Sequence, residues 1–141
     1  MSVIFTDIEC YHDFFYIGFK REEDGKRVGV ELSSRSSNYD RRYVRSVLKK
    51  HTTVGYRSLS YDVPMIWYSL QEHVTNAHLK RASDRLIEGN IQWWEAEEFL
   101  GINIPFEVKK LHIDLSEPQP NAFASLKSLN GRMMGKQLQD L

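Results

Sequence analysis

Along the chain the apolar positions first cluster in VIFTDI (3–8) and FFYIGFK (14–20), both rich in β-branched and aromatic residues, so both stretches are expected to be strands. RVGVEL (27–32) follows EEDGKR, whose Asp24-Gly25 pair signals a two-residue hairpin, and reads as a third strand. The period then changes. In SSRSSNYDRRYVRSVLKKHTT the apolar positions Tyr43, Val47 and Leu48 recur at helical spacing among Arg and Lys. HTTVGYRSL reads as a short strand, SYDVPMIWYSLQEHV as a helix with Pro64 in its first turn, and TNAHLKRASDRLIEGN as a further helix stopped near Gly89-Asn90. IQWWEAEEFLG is a shorter helical or irregular piece ended by Gly101, and KKLHIDL a late strand. Beyond Pro118 and Pro120, NAFASLKSLN reads as a last helix started by an Asn cap.

Three meander strands, a helix, a fourth strand, further helices and a fifth strand follow the order of an RNase-H-like α/β fold, a mixed β-sheet flanked by helices. At 141 residues the chain is expected to form one domain, 1–141, with a sizeable core. Its 19 basic and 19 acidic residues cancel, so any contact with nucleic acid must come from a local patch. The single Cys10 excludes an internal disulfide and fits a reducing compartment; directly after an apolar strand, it reads as structural rather than as a nucleophile. Asp7, Glu9, His12 and Asp13 break any signal-peptide pattern, and no apolar run approaches the roughly 20 residues of a membrane span. The cytosol is the expected location, with no membrane partner.

Two carboxylates stand out. Asp7 and Glu9 share one face of the first strand, because side chains on a strand repeat every two residues. Such a pair repels and is costly to desolvate unless a cation sits between its members, and oxygen ligands suit Mg²⁺ or Mn²⁺. Both acids could equally face water at a sheet end. Asp62, at the start of the helix after the fourth strand, adds a third acid; it is also a good first-turn residue on dipole grounds alone.

Together FTDIE, VGYRSLSYDVPMI and LHIDLSEP followed by ASLKSLNGRMMGKQLQDL resemble the proofreading 3′–5′ exonuclease domain of bacteriophage family A DNA polymerases, in the DEDD superfamily. FTDIE resembles the first motif, D-x-E on the first strand. VGYRSLSYDVPMI is similar to the second, N-x-x-x-[FY]-D followed by an apolar helix. The last stretch resembles the approach to the third. The resemblance implies two-metal hydrolysis of single-stranded DNA 3′ ends, in which Asp7 bridges both cations, Glu9 binds one and holds the terminal nucleotide, and Asp62 serves the second.

Two departures follow. Arg57 stands where the family has Asn, and is a candidate substrate-binding residue for phosphate or a competitor of a metal. The third motif, Tyr or His four residues before an Asp, is missing: Lys80, Lys110 and Lys136 precede Asp84, Asp114 and Asp140. Asp114 is a possible substitute ligand, or a plain strand-end acid; His112 reads as a half-buried strand residue. The resemblance therefore implies an exonuclease-like domain truncated at its C-terminus and completed by a second polypeptide carrying the rest of the exonuclease and polymerase, working in the host bacterial cytosol. The alternative is a non-catalytic RNase-H-like binding protein, a polymerase accessory piece or a phage protein-interaction factor. Trp67, Trp93 and Trp94 read as buried helix aromatics, with base stacking as the other role. Arg41, Arg42, Arg45, Lys49 and Lys50 read as a solvated helix face, with DNA phosphates as the other use.

Overall fold

A computed structural model of the chain describes residues 2–36 and 39–116. The helix expected over NAFASLKSLN and the approach to the third motif from residue 117 onward lie outside the described residues. The fold is α/β. Strands β1 (Val3–Tyr11), β2 (Phe14–Arg21), β3 (Arg27–Ser33), β4 (Thr52–Gly55) and β5 (His112–Asp114) form one five-stranded mixed sheet in the order β3-β2-β1-β4-β5. The β1–β2 and β2–β3 pairs are antiparallel, and β1–β4 and β4–β5 are parallel. Helices α1 (Arg41–Lys50), α2 (Asp62–Ser69), α3 (Asn76–Glu88), α4 (Ala96–Leu100) and α5 (Phe106–Leu111) complete the described elements. Among the described residues no helix is long and apolar enough to cross a membrane.

Alternation sorts the sheet into two faces. Ile4, Ile8, Phe15, Ile17, Phe19 and Val30 are buried in the main core with Val44, Val47 and Leu48 of α1, Met65 and Ile66 of α2, and Leu79 and Leu86 of α3. On the other face Phe5, Val54 and Ile113 fall in one register row and, with Val3, make a second, smaller cluster. Asp7 and Glu9 share that second face and are exposed, while Ile8 between them and Thr6 before them are buried.

Helix ends follow local chemistry. The Asp40 carboxylate accepts from Tyr43 N at 3.0 Å and caps α1. Thr75 and His78 close a reciprocal capping box on α3. Gly101 ends α4 at φ 66°, in the left-handed region that glycine enters without a Cβ penalty.

The structure corrects several expected details. The tight two-residue turn falls at His12-Asp13, where Tyr11 pairs Phe14, rather than at Asp24-Gly25. There the Asp24 carboxylate accepts from Arg21 Nε and Nη2 and from Lys26 N, which supports a wider loop over 22–26. KKLHIDL is not strand throughout. Its Lys109, Lys110 and Leu111 finish α5, with cations at the helix C-terminus and Glu107 in the first turn, both favoured by the helix dipole. Trp93 and Trp94 are exposed rather than buried in a helix: Trp94 is 64% exposed in the turn before α4, its ring edge-on to Trp93. The helix-α1 cations divide: Arg42, Lys49 and Lys50 are solvated, whereas Arg41 donates to Ser69 O and Arg45 lies over the half-buried Trp67 ring. His112 is fully buried, not half-buried.

Candidate active site

The carboxyl ends of parallel strands are where an α/β sheet offers a crevice for ligands. Three acids stand near that end, Asp7 on one face of the sheet and Asp114 on the other. Asp7 lies in β1 just past its parallel pairing with β4; Asp62 is the first residue of α2; Asp114 ends β5. Asp62 is only 8% exposed. Its carboxyl is pushed up from 3.8 to about 7, first by burial and then by the negative charges of Asp7 and Asp114. A first-turn acid is ordinarily favoured by the helix dipole. Here desolvation and two like charges outweigh the dipole, so near neutrality Asp62 is poised between its protonated and ionised forms.

Asp114 has a different task from Asp7. Register places Ile113 on the face of Phe5 and Val54, so Asp114 falls on the opposite, helix-facing side. It is 1% exposed, and its Oδ1 accepts from Arg57 N at 2.9 Å, Ser116 N at 2.9 Å and Ser116 Oγ at 2.7 Å. Oδ2 accepts from Leu59 N at 3.0 Å. One strand residue earlier along this face, His112 hydrogen-bonds Thr53 Oγ1 at 2.7 Å through Nδ1 and Ser58 Oγ at 2.5 Å through Nε2. Burial lowers the His112 pKa to about 4, so the ring is neutral and one nitrogen donates while the other accepts.

Both residues grip the loop between β4 and α2. That loop feeds directly into the helix, since Val63 N donates to Ser58 O at 2.8 Å. Gly55 is needed where the loop folds back: a Cβ there would sit 2.7 Å from Ser58 Cβ. Arg57 holds a left-handed φ of 54°, a conformation costly for a residue with a Cβ, and the Asp114 bond to its N–H helps fix it. The Arg57 guanidinium is exposed over the Tyr56 ring, 5.9 Å from its centroid.

The structure thus brings Asp62 into the electrostatic reach of Asp7 and Asp114. Glu9 shares the face of Asp7 one pleat further along and is not among the charges that shift Asp62. Among the described residues no group of three or more His, Cys, Asp or Glu side chains is arranged to hold a metal ion. The pair Asp7 and Asp62 does fit one hard-cation habit. Mg²⁺ is commonly held by one or two carboxylates, with waters and substrate phosphates completing its shell. Two carboxylates in mutual repulsion, one of them desolvated, gain from a cation between them. Cys10 is half-buried and its thiol is raised by burial, which suits a packing role rather than a thiolate nucleophile.

Sequence reading missed the loop clamp. His112 and Asp114 were visible as strand residues, but their partners Ser58, Arg57 and Leu59 are distant in sequence and only the β4–β5 pairing reveals them. Comparison with protein-family models, characterised proteins and solved structures finds no match.

Proposed function

We propose that the chain is a 3′–5′ exonuclease subunit or fragment of a phage DNA polymerase, with an RNase-H-like fold, acting on single-stranded DNA 3′ ends in the host bacterial cytosol. The observation that supports this reading is that Asp7 of β1 and Asp62 of α2 both stand near the carboxyl end of the parallel strands, with the Asp7 charge adding to the burial that raises the Asp62 carboxyl. Support for the fold comes from the antiparallel β1–β3 meander continued by two parallel strands in the order β3-β2-β1-β4-β5.

In this reading Asp7, Glu9 and Asp62 hold Mg²⁺ or Mn²⁺. When bound, the cations supply Lewis-acid polarisation of the phosphate and a water activated near neutral pH. The chain's own contributions are positional. Asp62 gives up its proton to become an ion ligand, the clamp from Asp114 and His112 holds the loop that leads into α2 against β5, and Arg57 stands exposed to meet the substrate phosphate. Because the backbone amides of Arg57, Leu59 and Ser116 occupy Asp114, we assign the further ligand and water-positioning group of the family's third motif to a second polypeptide.

That same occupancy of Asp114 favours a second reading, an RNase-H-like protein that binds without catalysis. Release of nucleotides from a 3′-labelled single strand in Mn²⁺ separates the two. The chain alone should release little. With the polypeptide encoded immediately downstream, release should be robust and should vanish in Asp7→Ala. Binding of that polypeptide with no release would favour the non-catalytic reading.

A further inference from the structure

Antiparallel register lines up three rows across the exposed face of β1, β2 and β3. Phe5, Lys20 and Arg27 form one row; Asp7, Gly18 and Gly29 the next; Glu9, Tyr16 and Glu31 the third. The middle row carries no side chain beyond Asp7, and Tyr16 uses that space. A Cβ on Gly29 would lie 2.6 Å from Tyr16 Cε2 and 2.7 Å from Cζ, and one on Gly18 would lie 3.3 Å from Cε1. The ring therefore lies down across two strands, which glycine in a strand interior permits. Phe14 stacks parallel to it, with centroids 6.1 Å apart and planes at 8°.

Around this ring is a cleft of about 380 Å³ lined by Phe5, Asp7, Glu9, Tyr16, Lys20 and Arg27, among others. That volume falls in the ligand-pocket range of about 300–1,000 Å³. Its chemistry is polarised. Lys20 and Arg27, neighbours in register, make a cationic rim; Asp7 and Glu9 make an anionic one; an aromatic ring lies between. A ligand matching all three parts has an anionic group, a planar ring and a hydroxylated part that tolerates carboxylates.

We propose that this cleft binds one nucleotide of a single DNA strand, its base against Tyr16, its phosphate on Lys20 and Arg27, and its sugar toward Asp7 and Glu9. The identity of the ligand rests on the exonuclease reading; the cleft itself does not. Inorganic phosphate would engage only the cationic rim, and a nucleoside only the ring.

The test uses the full chain without metal, titrated with dTMP, thymidine, inorganic phosphate and a short oligo(dT), by calorimetry and by amide NMR. Thymidylate should shift the Gly18 and Gly29 amides. Its affinity should fall about tenfold in the Lys20→Ala/Arg27→Ala double variant, from lost charge-assisted contacts, and about tenfold in Tyr16→Leu, from lost stacking. Lys20 and Arg27 are exposed, so an unchanged thermal midpoint in the double variant shows that the fold is intact. Thymidine and inorganic phosphate should each bind at least about tenfold more weakly than dTMP, and oligo(dT) should compete with it. Equal dTMP affinity in both variants, unmoved glycine amides, equal affinity for inorganic phosphate, or failure of oligo(dT) to compete would each overturn the proposal. The two readings fail separately. If dTMP binds through Tyr16, Lys20 and Arg27 but no 3′-end hydrolysis occurs with the downstream polypeptide, the exonuclease reading falls and the cleft stands. If hydrolysis occurs with a KM for single strands unchanged in these variants, the cleft falls alone.

Discussion

Asp114→Ala should cost the fold about 3–5 kcal/mol in urea unfolding, with the slope against urea unchanged. Three backbone N–H groups, those of Arg57, Leu59 and Ser116, would lose their acceptor, and Arg57 and Leu59 sit in a loop that β5 otherwise holds down. One effect opposes the loss. Removing the Asp114 charge relieves part of the repulsion on Asp62. That relief is the smaller effect, because burial rather than Asp114 is the leading cause of the raised Asp62 pKa, whereas each orphaned amide in a buried site costs about 1–3 kcal/mol. Hydrogen exchange of the Arg57 and Leu59 amides should accelerate in the variant. A loss below about 1 kcal/mol would mean that Asp114 does not hold the loop.

The second large effect has the opposite sign. Asp62→Asn should stabilise the protein at pH 8 and leave it unchanged at pH 4. The folded-state pKa of Asp62, about 7, lies above the 3.8 of the unfolded chain. Between those values the fold keeps a proton that the unfolded chain has released, so wild-type stability from this group falls as pH rises from about 4 to about 7 and is flat above. The full difference is on the order of 4 kcal/mol. An amide resembles the protonated acid and carries no such penalty. The thermal midpoint of Asp62→Asn should exceed that of wild type by roughly 10–15 °C at pH 8. Equal midpoints at both pH values would mean that Asp62 is neither desolvated nor repelled in the fold. Stability given up at an ionisable group is what a site built to receive a cation requires.

Much of the frame could be read from the chain. The two-residue repeat of a strand places Asp7 and Glu9 on one face, and the structure leaves both exposed on either side of buried Ile8. Tyr43, Val47 and Leu48 marked α1 correctly, although Tyr43 itself is exposed and Val44 takes its place in the core. Asp62 does begin a helix. Spacing could not show what depends on register. Gly18 and Gly29 are each ordinary strand glycines in sequence; only the β2–β3 pairing sets them side by side beneath Tyr16. Asp114 was ambiguous between ligand and strand-end acid, because the parity that turns it away from Asp7 is fixed by a three-residue strand. The length of that strand was misread because KKL carries both apolar and cationic residues, and its preference for a helix end emerges only with Pro105 and Glu107 ahead of it.

The proposed divalent-cation site rests on Asp7 and Asp62. Its most direct measurement is the thermal midpoint at pH 7.5 across a Mn²⁺ titration, in wild type, Asp7→Ala and Asp62→Asn. A cation that binds only the folded chain raises its midpoint with concentration, by about 2.7 kcal/mol at a hundredfold excess over its dissociation constant. The midpoint should rise in wild type and stay flat in both variants. A midpoint that rises equally in all three proteins, or in none, would contradict the proposed site.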